Sequence, residues 1–496
     1  MSKTDISTYR SIFYPKSLAI IGATDNPMKF GNQFLQANIS HGFKGKIYPV
    51  NPKGGEIQGL KVYPSVNDIP DQVDLAVLTL PTALVPEAIR NCAMKGVKGV
   101  QILTSGFRES GSDGEAIERE VLKIAREGGM RLIGPNCFGI YTPEAGLTLL
   151  PGGDFSKTPG NTGLISQSGG GACEVMYSAR GRNVNFSVAV SYGNGCDIDA
   201  AEMLRYFEAD PETLIVGAYI EGVNDGRSFY EALKSCAAKK PVVIFKGGLG
   251  DNGNRGTLGH TGSMAGSPAV WEAVIKSAGA VSAYDMRDMV ECLMTFNCIS
   301  DFTGNNAGIL AGGGQLAVNA LDSASGFGFN IPETDNETAA RIQSHLPPTG
   351  AGCGNPVDLS SPVMPSNVIN SILEILSEKN NIDFLVVSQA LFYLLRREQK
   401  IASLSGRKIS ELEYHKEITA KIEELRLKFK KPVSMVLIDV ASDPKNCEVE
   451  LEKAKIREYY TAHGIPCFDT AAQAFSVLRR VFDYYKRQRS YETIRG

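Results

Sequence analysis

The stretch Ser17-Leu18-Ala19-Ile20-Ile21-Gly22-Ala23-Thr24-Asp25-Asn26-Pro27-Met28-Lys29-Phe30-Gly31 decides how the chain begins to fold. A short apolar run ends in glycine, crosses polar turn residues and enters a helical pattern. An uninterrupted apolar run of this length reads as a strand covered on both faces, as in a parallel sheet. The free N–H groups and positive dipole at the following helix start suit a phosphate. Working outward, residues 46–50, 74–80, 99–104 and 131–134 read as further strands, with helical patterns over 83–92 and 116–127. Strands alternating with amphipathic helices predict a doubly wound, parallel α/β unit over residues 1–150.

Pro151-Gly152-Gly153 and Pro159-Gly160 mark a boundary. A second α/β unit, 151–302, opens with Gly163-Leu164-Ile165-Ser166 and has strand patterns at 186–191, 214–220 and 242–245. A third, 303–496, has them at 309–311, 384–387, 433–438 and near 465–468, with a closing helix over 471–485. The last two units open alike, Leu164-Ile165-Ser166-Gln167-Ser168-Gly169-Gly170-Gly171 against Ile309-Leu310-Ala311-Gly312-Gly313-Gly314-Gln315. This fits a distant internal repeat, or two sheets that need the same turn.

A chain of 496 residues suits about three domains. With 51 basic and 54 acidic side chains the net charge is −3, which argues against a nucleic-acid binder. The ten cysteines are scattered, without a Cys-x-x-Cys pair or a Cys/His cluster of metal-ligand spacing, so no metal site is expected and the compartment reads as a reducing cytosol. Residues 1–10 lack the apolar core of a secretion signal, and no run approaches the ~18 apolar residues of a membrane span. The expectation is a soluble cytoplasmic protein with no membrane partner.

The first unit departs from a dinucleotide-binding pattern. The compact Gly-x-Gly-x-x-Gly spacing is absent, and the second strand leads into Asn51-Pro52-Lys53 rather than an acid for ribose hydroxyls. A lysine there suits a ribose phosphate, and CoA carries a 3′-phosphate as well as a pyrophosphate. A solvated lysine after a turn is the plainer reading of Lys53.

Residues 246–262 form a glycine-rich loop after a strand and contain His260. Loops of this kind are mobile or touch a ligand with their backbone. Neutral imidazole is a nucleophile near pH 7 and can carry a phosphoryl group between sites, provided an acceptor orients its other nitrogen. Glu221, directly after the strand at 214–220, is the candidate acceptor. A loop histidine near an anion, with Glu221 capping a helix, remains the alternative. The other histidines, His41, His345, His415 and His463, read as surface residues. Ser166-Gln167-Ser168-Gly169 is a strand-to-helix turn able to hold a phosphate or carboxylate through its N–H groups. Gly134-Pro135-Asn136-Cys137 ends a strand and could meet the same ligand, with Cys137 as a weaker candidate nucleophile.

Taken in order, these segments resemble the NDP-forming acyl-CoA synthetases, alpha-subunit type, and more distantly succinyl-CoA synthetase alpha. Residues 17–23, 42–53, 133–137, 165–169, 219–223, 260–266 and 354–359 carry the likeness, which runs from about residue 11 to about residue 487. The resemblance implies a Rossmann-like CoA-binding domain followed by two flavodoxin-like domains. It implies that His260 is phosphorylated and supported by Glu221. It puts Asn136, Cys137, Ser166, Ser168 and Gly169 at the acyl phosphate, and Gly22, Lys29, Lys53, Pro81 and Ser105 at CoA.

There are departures. Pro27-Met28-Lys29 lacks a glycine often found in the CoA loop, and Gly259 stands where serine is common. Gly170-Gly171 replaces bulkier residues, which predicts an acid larger or more polar than acetate. No Gly-x-x-x-x-Gly-Lys-[Ser/Thr] loop occurs. The resemblance therefore implies a separate ATP-grasp beta subunit that brings ATP or ADP with Mg2+. The competing readings are a non-catalytic CoA or acyl-CoA sensor, a Rossmann oxidoreductase, and an acyltransferase working through phosphate alone.

Overall fold

The computed structural model describes residues 6–150, 154–248, 267–393, 396, 411–438 and 447–495. The chain divides into two compact units, one formed by residues 1–180 and 184–293, the other by 181–183 and 294–496.

The first unit holds two main sheets. The first sheet is built from β1 (Ser17–Ile21), β2 (Lys46–Val50), β5 (Leu75–Leu78), β6 (Gly99–Ile102) and β7 (Arg131–Ile133), in the order β2-β1-β5-β6-β7 and parallel throughout. A small hairpin, β3 (Glu56–Ile57) and β4 (Leu60–Lys61), forms a two-stranded sheet of its own. The second sheet contains β8 (Gly139–Tyr141), β9 (Thr162–Ser166), β10 (Phe186–Ser191), β11 (Ile215–Ile220), β12 (Val242–Lys246) and β13 (Val281–Ala283), in the order β13-β12-β11-β9-β10-β8. All of these run parallel except β8, which pairs antiparallel with β10.

The expected boundary near residue 150 is therefore crossed by β8, a strand from the first stretch that joins the second sheet. One apolar core also runs between the sheets. Leu18, Ile20, Leu75 and Val77 of the first share it with Ile165, Val188 and Val216 of the second. The other face of the first sheet has its own core around Ala19, Val100, Ile102 and Leu132. Two covered faces explain why these strands read as unbroken apolar runs.

The second unit contains β14 (Ala307–Ala311), β15 (Val357–Asp358), β16 (Phe384–Ala390), β17 (Val433–Ile438) and β18 (Cys467–Phe468), parallel in the order β15-β14-β16-β17-β18. The closing helix, Ala471–Arg495, is longer than the sequence pattern suggested. Counted along the chain, the parallel strands of all three sheets run 2-1-3-4-5, the flavodoxin-like doubly wound order. The similar openings after β9 and β14 are thus the same topological position, each a turn leading into a helix, Gly169–Arg180 and Gly314–Gly326.

Two histidines expected at the surface are buried. His415 is completely enclosed, with Nδ1 2.7 Å from the Tyr460 hydroxyl. His41 packs against the Tyr141 ring. A helix pattern alone does not show which face meets the sheet. All ten cysteines are free thiols. Among the described residues no helix is long and apolar enough to cross a membrane.

Candidate functional site

In a sheet of order 2-1-3-4-5 the crossovers leave on opposite faces at strands 1 and 3, which opens a crevice at the carboxyl edge. In the first sheet this lies between β1 and β5. The turn after β1 begins with Gly22 at φ +97°, whose N–H donates to the Val50 carbonyl at 3.0 Å. The chain then enters the helix Phe30–His41, with Lys29 as its cap residue, its side chain exposed and not used for capping. A Cβ on Gly22 would meet the Thr79 hydroxyl at 2.6 Å, so glycine is required here on two counts.

A cavity of about 680 Å³ occupies this crevice. Gly22, Lys29, Pro81 and Ser105 line it from the turns after β1, β5 and β6. Asn136 and Cys137 line it from the segment between β7 and β8, and Ser168 and Gly169 from the turn after β9 of the second sheet. Eight of the twelve sequence-selected residues thus surround one space. Asn136 has φ +57°, and its N–H donates to the Thr104 carbonyl at 2.9 Å. The Ser166 hydroxyl donates to the Ser168 carbonyl at 2.6 Å, and Ser168 Oγ accepts from the Gly171 N–H at 3.2 Å. These bonds shape the turn and start the helix Gly169–Arg180. Ser166 itself is fully buried and stays off the cavity wall.

Lys53 is exposed beyond the end of β2 and does not line the cavity. The Cys137 thiol is buried and donates to the Ile102 carbonyl at 3.3 Å. Burial pushes its pKa up, which disfavours a thiolate in that position.

Glu221 is buried directly after β11, and its Oε1 accepts from the Tyr219 hydroxyl at 3.1 Å. Two consecutive backbone N–H groups, of Glu221 and Gly222, donate to the side-chain oxygen of Gln167 at 2.7 and 3.0 Å. Sequence reasoning passed over Gln167, and its place between two selected serines was the only signal. His260 lies outside the described residues, as does the rest of 249–266.

Two family models match the chain. A CoA binding domain covers residues 16–143, and a succinyl-CoA ligase like flavodoxin domain covers residues 159–296. The alpha subunit of acetate–CoA ligase [ADP-forming] I of Pyrococcus furiosus is 40% identical over 357 residues, covering 71% of this chain and 76% of that one. The chain belongs to the NDP-forming acyl-CoA synthetase family. A longer member, acetate–CoA ligase [ADP-forming] II of Archaeoglobus fulgidus, is 32% identical and covers 97% of this chain, which spans 68% of it. Among solved structures, an acetyl-coenzyme A synthetase 1 of Ca. Korarchaeum cryptofilum, in complex with phosphate and ADP, superposes with a TM-score of 0.81 at 30% identity, covering 97% of both chains. Within this family the cavity joins the two domains named by the matching models. Its first-sheet wall belongs to the CoA binding domain and the Ser168 turn to the ligase-like domain.

Proposed function

We propose that this chain is the CoA-binding and phosphoryl-carrying part of an NDP-forming acyl-CoA synthetase, converting a carboxylic acid to its acyl phosphate and then to its CoA thioester. As a family member it is an acid–CoA ligase of the ADP-forming type, using CoA and a nucleotide. The observation that carries the site assignment is the single cavity walled by Gly22 and Lys29 on one side and by Ser168 and Gly169 on the other.

The residues present fit CoA. A Cβ at Gly22 would meet Thr79 and one at Gly31 the Gly22 carbonyl, so the two glycines let the turn close onto the helix N-terminus, whose N–H groups and positive dipole suit a pyrophosphate. Lys29 and Lys53 are the charges for phosphates, and Pro81 and Ser105 border the path toward Asn136. CoA would supply the thiol that replaces phosphate on the acyl carbonyl, so that the thioester forms as inorganic phosphate leaves.

His260 takes the phosphoryl group and delivers it to the carboxylate held at the Ser168 turn. Glu221 orients the imidazole so that its second nitrogen is the nucleophile. The turn's N–H groups, with Asn136 and Ser168 beside them, stabilise phosphoryl charge during transfer. Breaking one hard condensation into two transfers lowers each barrier. The same residues serve the reverse direction.

The nucleotide half requires an ATP-grasp partner that holds ATP with Mg2+. The Pyrococcus furiosus relative is named as a subunit alpha, which supports a partner chain. Cytoplasm is the compartment that offers ATP, CoA and reduced thiols together.

The test is to mix the purified chain with phosphate and a panel of acyl-CoAs, without nucleotide, and to look for an acid-labile phosphoryl adduct beside His260→Asn. An adduct lost in His260→Asn is expected and names the acid. No adduct with any acyl-CoA, despite measurable CoA binding, overturns the reading in favour of a non-catalytic CoA-binding protein.

A further inference from the structure

The two hydrogen-bond ladders that flank Glu221 stop before it, one of them two residues short and the other one residue short. The last pair between β9 and β11 is Ser166 with Tyr219, and the last between β11 and β12 is Ile220 with Lys246. The main-chain groups of Glu221 therefore lie beyond the sheet, where an acid on an ordinary strand end would turn them to water. Here side chains meet them. Gln167 Oε1 accepts from the N–H groups of Glu221 and Gly222, and the Lys246 ammonium donates to the Glu221 carbonyl at 2.7 Å. Gln167, Glu221 and Lys246 are 3%, 4% and 3% exposed. The ammonium also donates to the Gly247 carbonyl and lies 5.0 Å from the Trp271 ring centre. Burial pushes the Lys246 pKa down to about 8, with Glu221 acting against that shift. Two buried polar side chains, one of them a costly cation, converge on one residue.

Gln167 is also part of the substrate turn. Its own N–H donates to the Tyr219 carbonyl at 3.0 Å, and its neighbours are Ser166 and Ser168. We propose that Gln167 is a positioning residue for Glu221, tying the acid's main chain to the turn that holds the acyl phosphate, with Lys246 bracing the opposite side of the same residue. The acid and the turn then keep one distance. This rests on the phosphohistidine reading above.

The experiment measures the rate of phosphoryl labelling from phosphate and the best acyl-CoA, in the wild type, Gln167→Met, Gln167→Glu, Glu221→Gln and the double variant Gln167→Met/Glu221→Gln. Melting temperatures report folding. A misplaced supporting group costs up to about 10²-fold in rate. A loss of that order is expected in Gln167→Met. Partial recovery is expected in Gln167→Glu, which keeps an acceptor oxygen in place. The double variant should label no more slowly than Glu221→Gln alone, because a residue that acts through Glu221 has nothing left to position. Full labelling in Gln167→Met, or a further loss in the double variant equal to the loss in the single one, overturns the inference. A wild type that takes no label overturns the phosphohistidine reading and this inference with it.

Discussion

Gly31 sits so tightly on Gly22 that a Cβ built on Gly31 would lie 2.1 Å from the Gly22 carbonyl oxygen. Gly31 belongs to the helix Phe30–His41, where alanine would ordinarily be better than glycine by about 1 kcal/mol. The contact reverses that sign. Gly31→Ala should push the helix start away from the turn, cost about 1–3 kcal/mol of stability by overpacking, and weaken CoA binding. Calorimetric titration with CoA and a thermal melt check both, and unchanged CoA affinity would count against the helix start as its phosphate site.

Lys53 stands outside the cavity, on the turn after β2. If it meets the 3′-phosphate of CoA, its loss should be felt only by ligands that carry this group. A charge-assisted bond of about 1.5 kcal/mol corresponds to roughly tenfold in affinity. Lys53→Ala should therefore weaken CoA about tenfold and leave dephospho-CoA unchanged. Equal effects on both would return Lys53 to a solvated surface role.

The helix that begins at Gly169 leaves space beside Gly170, where a Cβ would meet only Ser168 Oγ, at 3.9 Å. Gly171 differs, since a Cβ there would press on Met286 at 2.8 Å. Gly170 is thus the position at which a side chain can grow into the cavity without disturbing the core. Acids larger or more polar than acetate are expected to be the better substrates. Gly170→Val should lower kcat/KM for those acids by about 10-fold or more, in line with the 1–3 kcal/mol a methylene-sized mismatch costs, and spare acetate. A substrate panel led by acetate in the wild type would sink this expectation.

His415 titrates in the wrong direction for a surface histidine. Burial holds its pKa down at about 3, against about 6.5 in an unfolded chain. Between those values the unfolded state binds a proton that the folded state refuses. The contribution is complete above about pH 6.5 and is lost as pH falls toward 3, by up to about 1.4 kcal/mol per pH unit. The melting temperature of the wild type should fall more steeply below pH 6.5 than that of His415→Gln. Parallel curves would show that the ring is protonated in the folded state.

Much of the architecture is legible in the residues. The apolar runs that became β1, β9, β14 and β16 are short, unbroken and end in glycine or serine, which is enough to announce strands covered on both faces. β3, β4, β8, β13 and β15, of two or three residues each, carry no period to read, whereas the equally short β7 and β18 stand out through the apolar residues that flank them. Of the site, the turns were legible and their shared cavity was not. Gly22 and Ser168 each announce an anion-binding turn, but nothing local says that the two face one space. Glu221 is singled out by its place after a strand, whereas Gln167 carries no local signal because it bonds to residues more than fifty positions away.

Periodic and local features are written in the residues: the alternation of strands and helices, the glycine turns at the strand ends and the absence of a dinucleotide fingerprint. These depend on neighbours within a few residues, so a single chain displays them. Long-range packing sets which turns meet, that β8 joins the second sheet, that His415 is enclosed and that the Cys137 thiol faces a carbonyl. The first unit's outcomes follow from strand order and from the apolar core shared by Leu18, Val77, Ile165 and Val188, and the enclosure of His415 from the second unit's own core with Ile418, Ile422 and Tyr460, where residues far apart in the chain compete for the same volume. Packing of that kind is settled by the whole unit at once, and no window of sequence contains it.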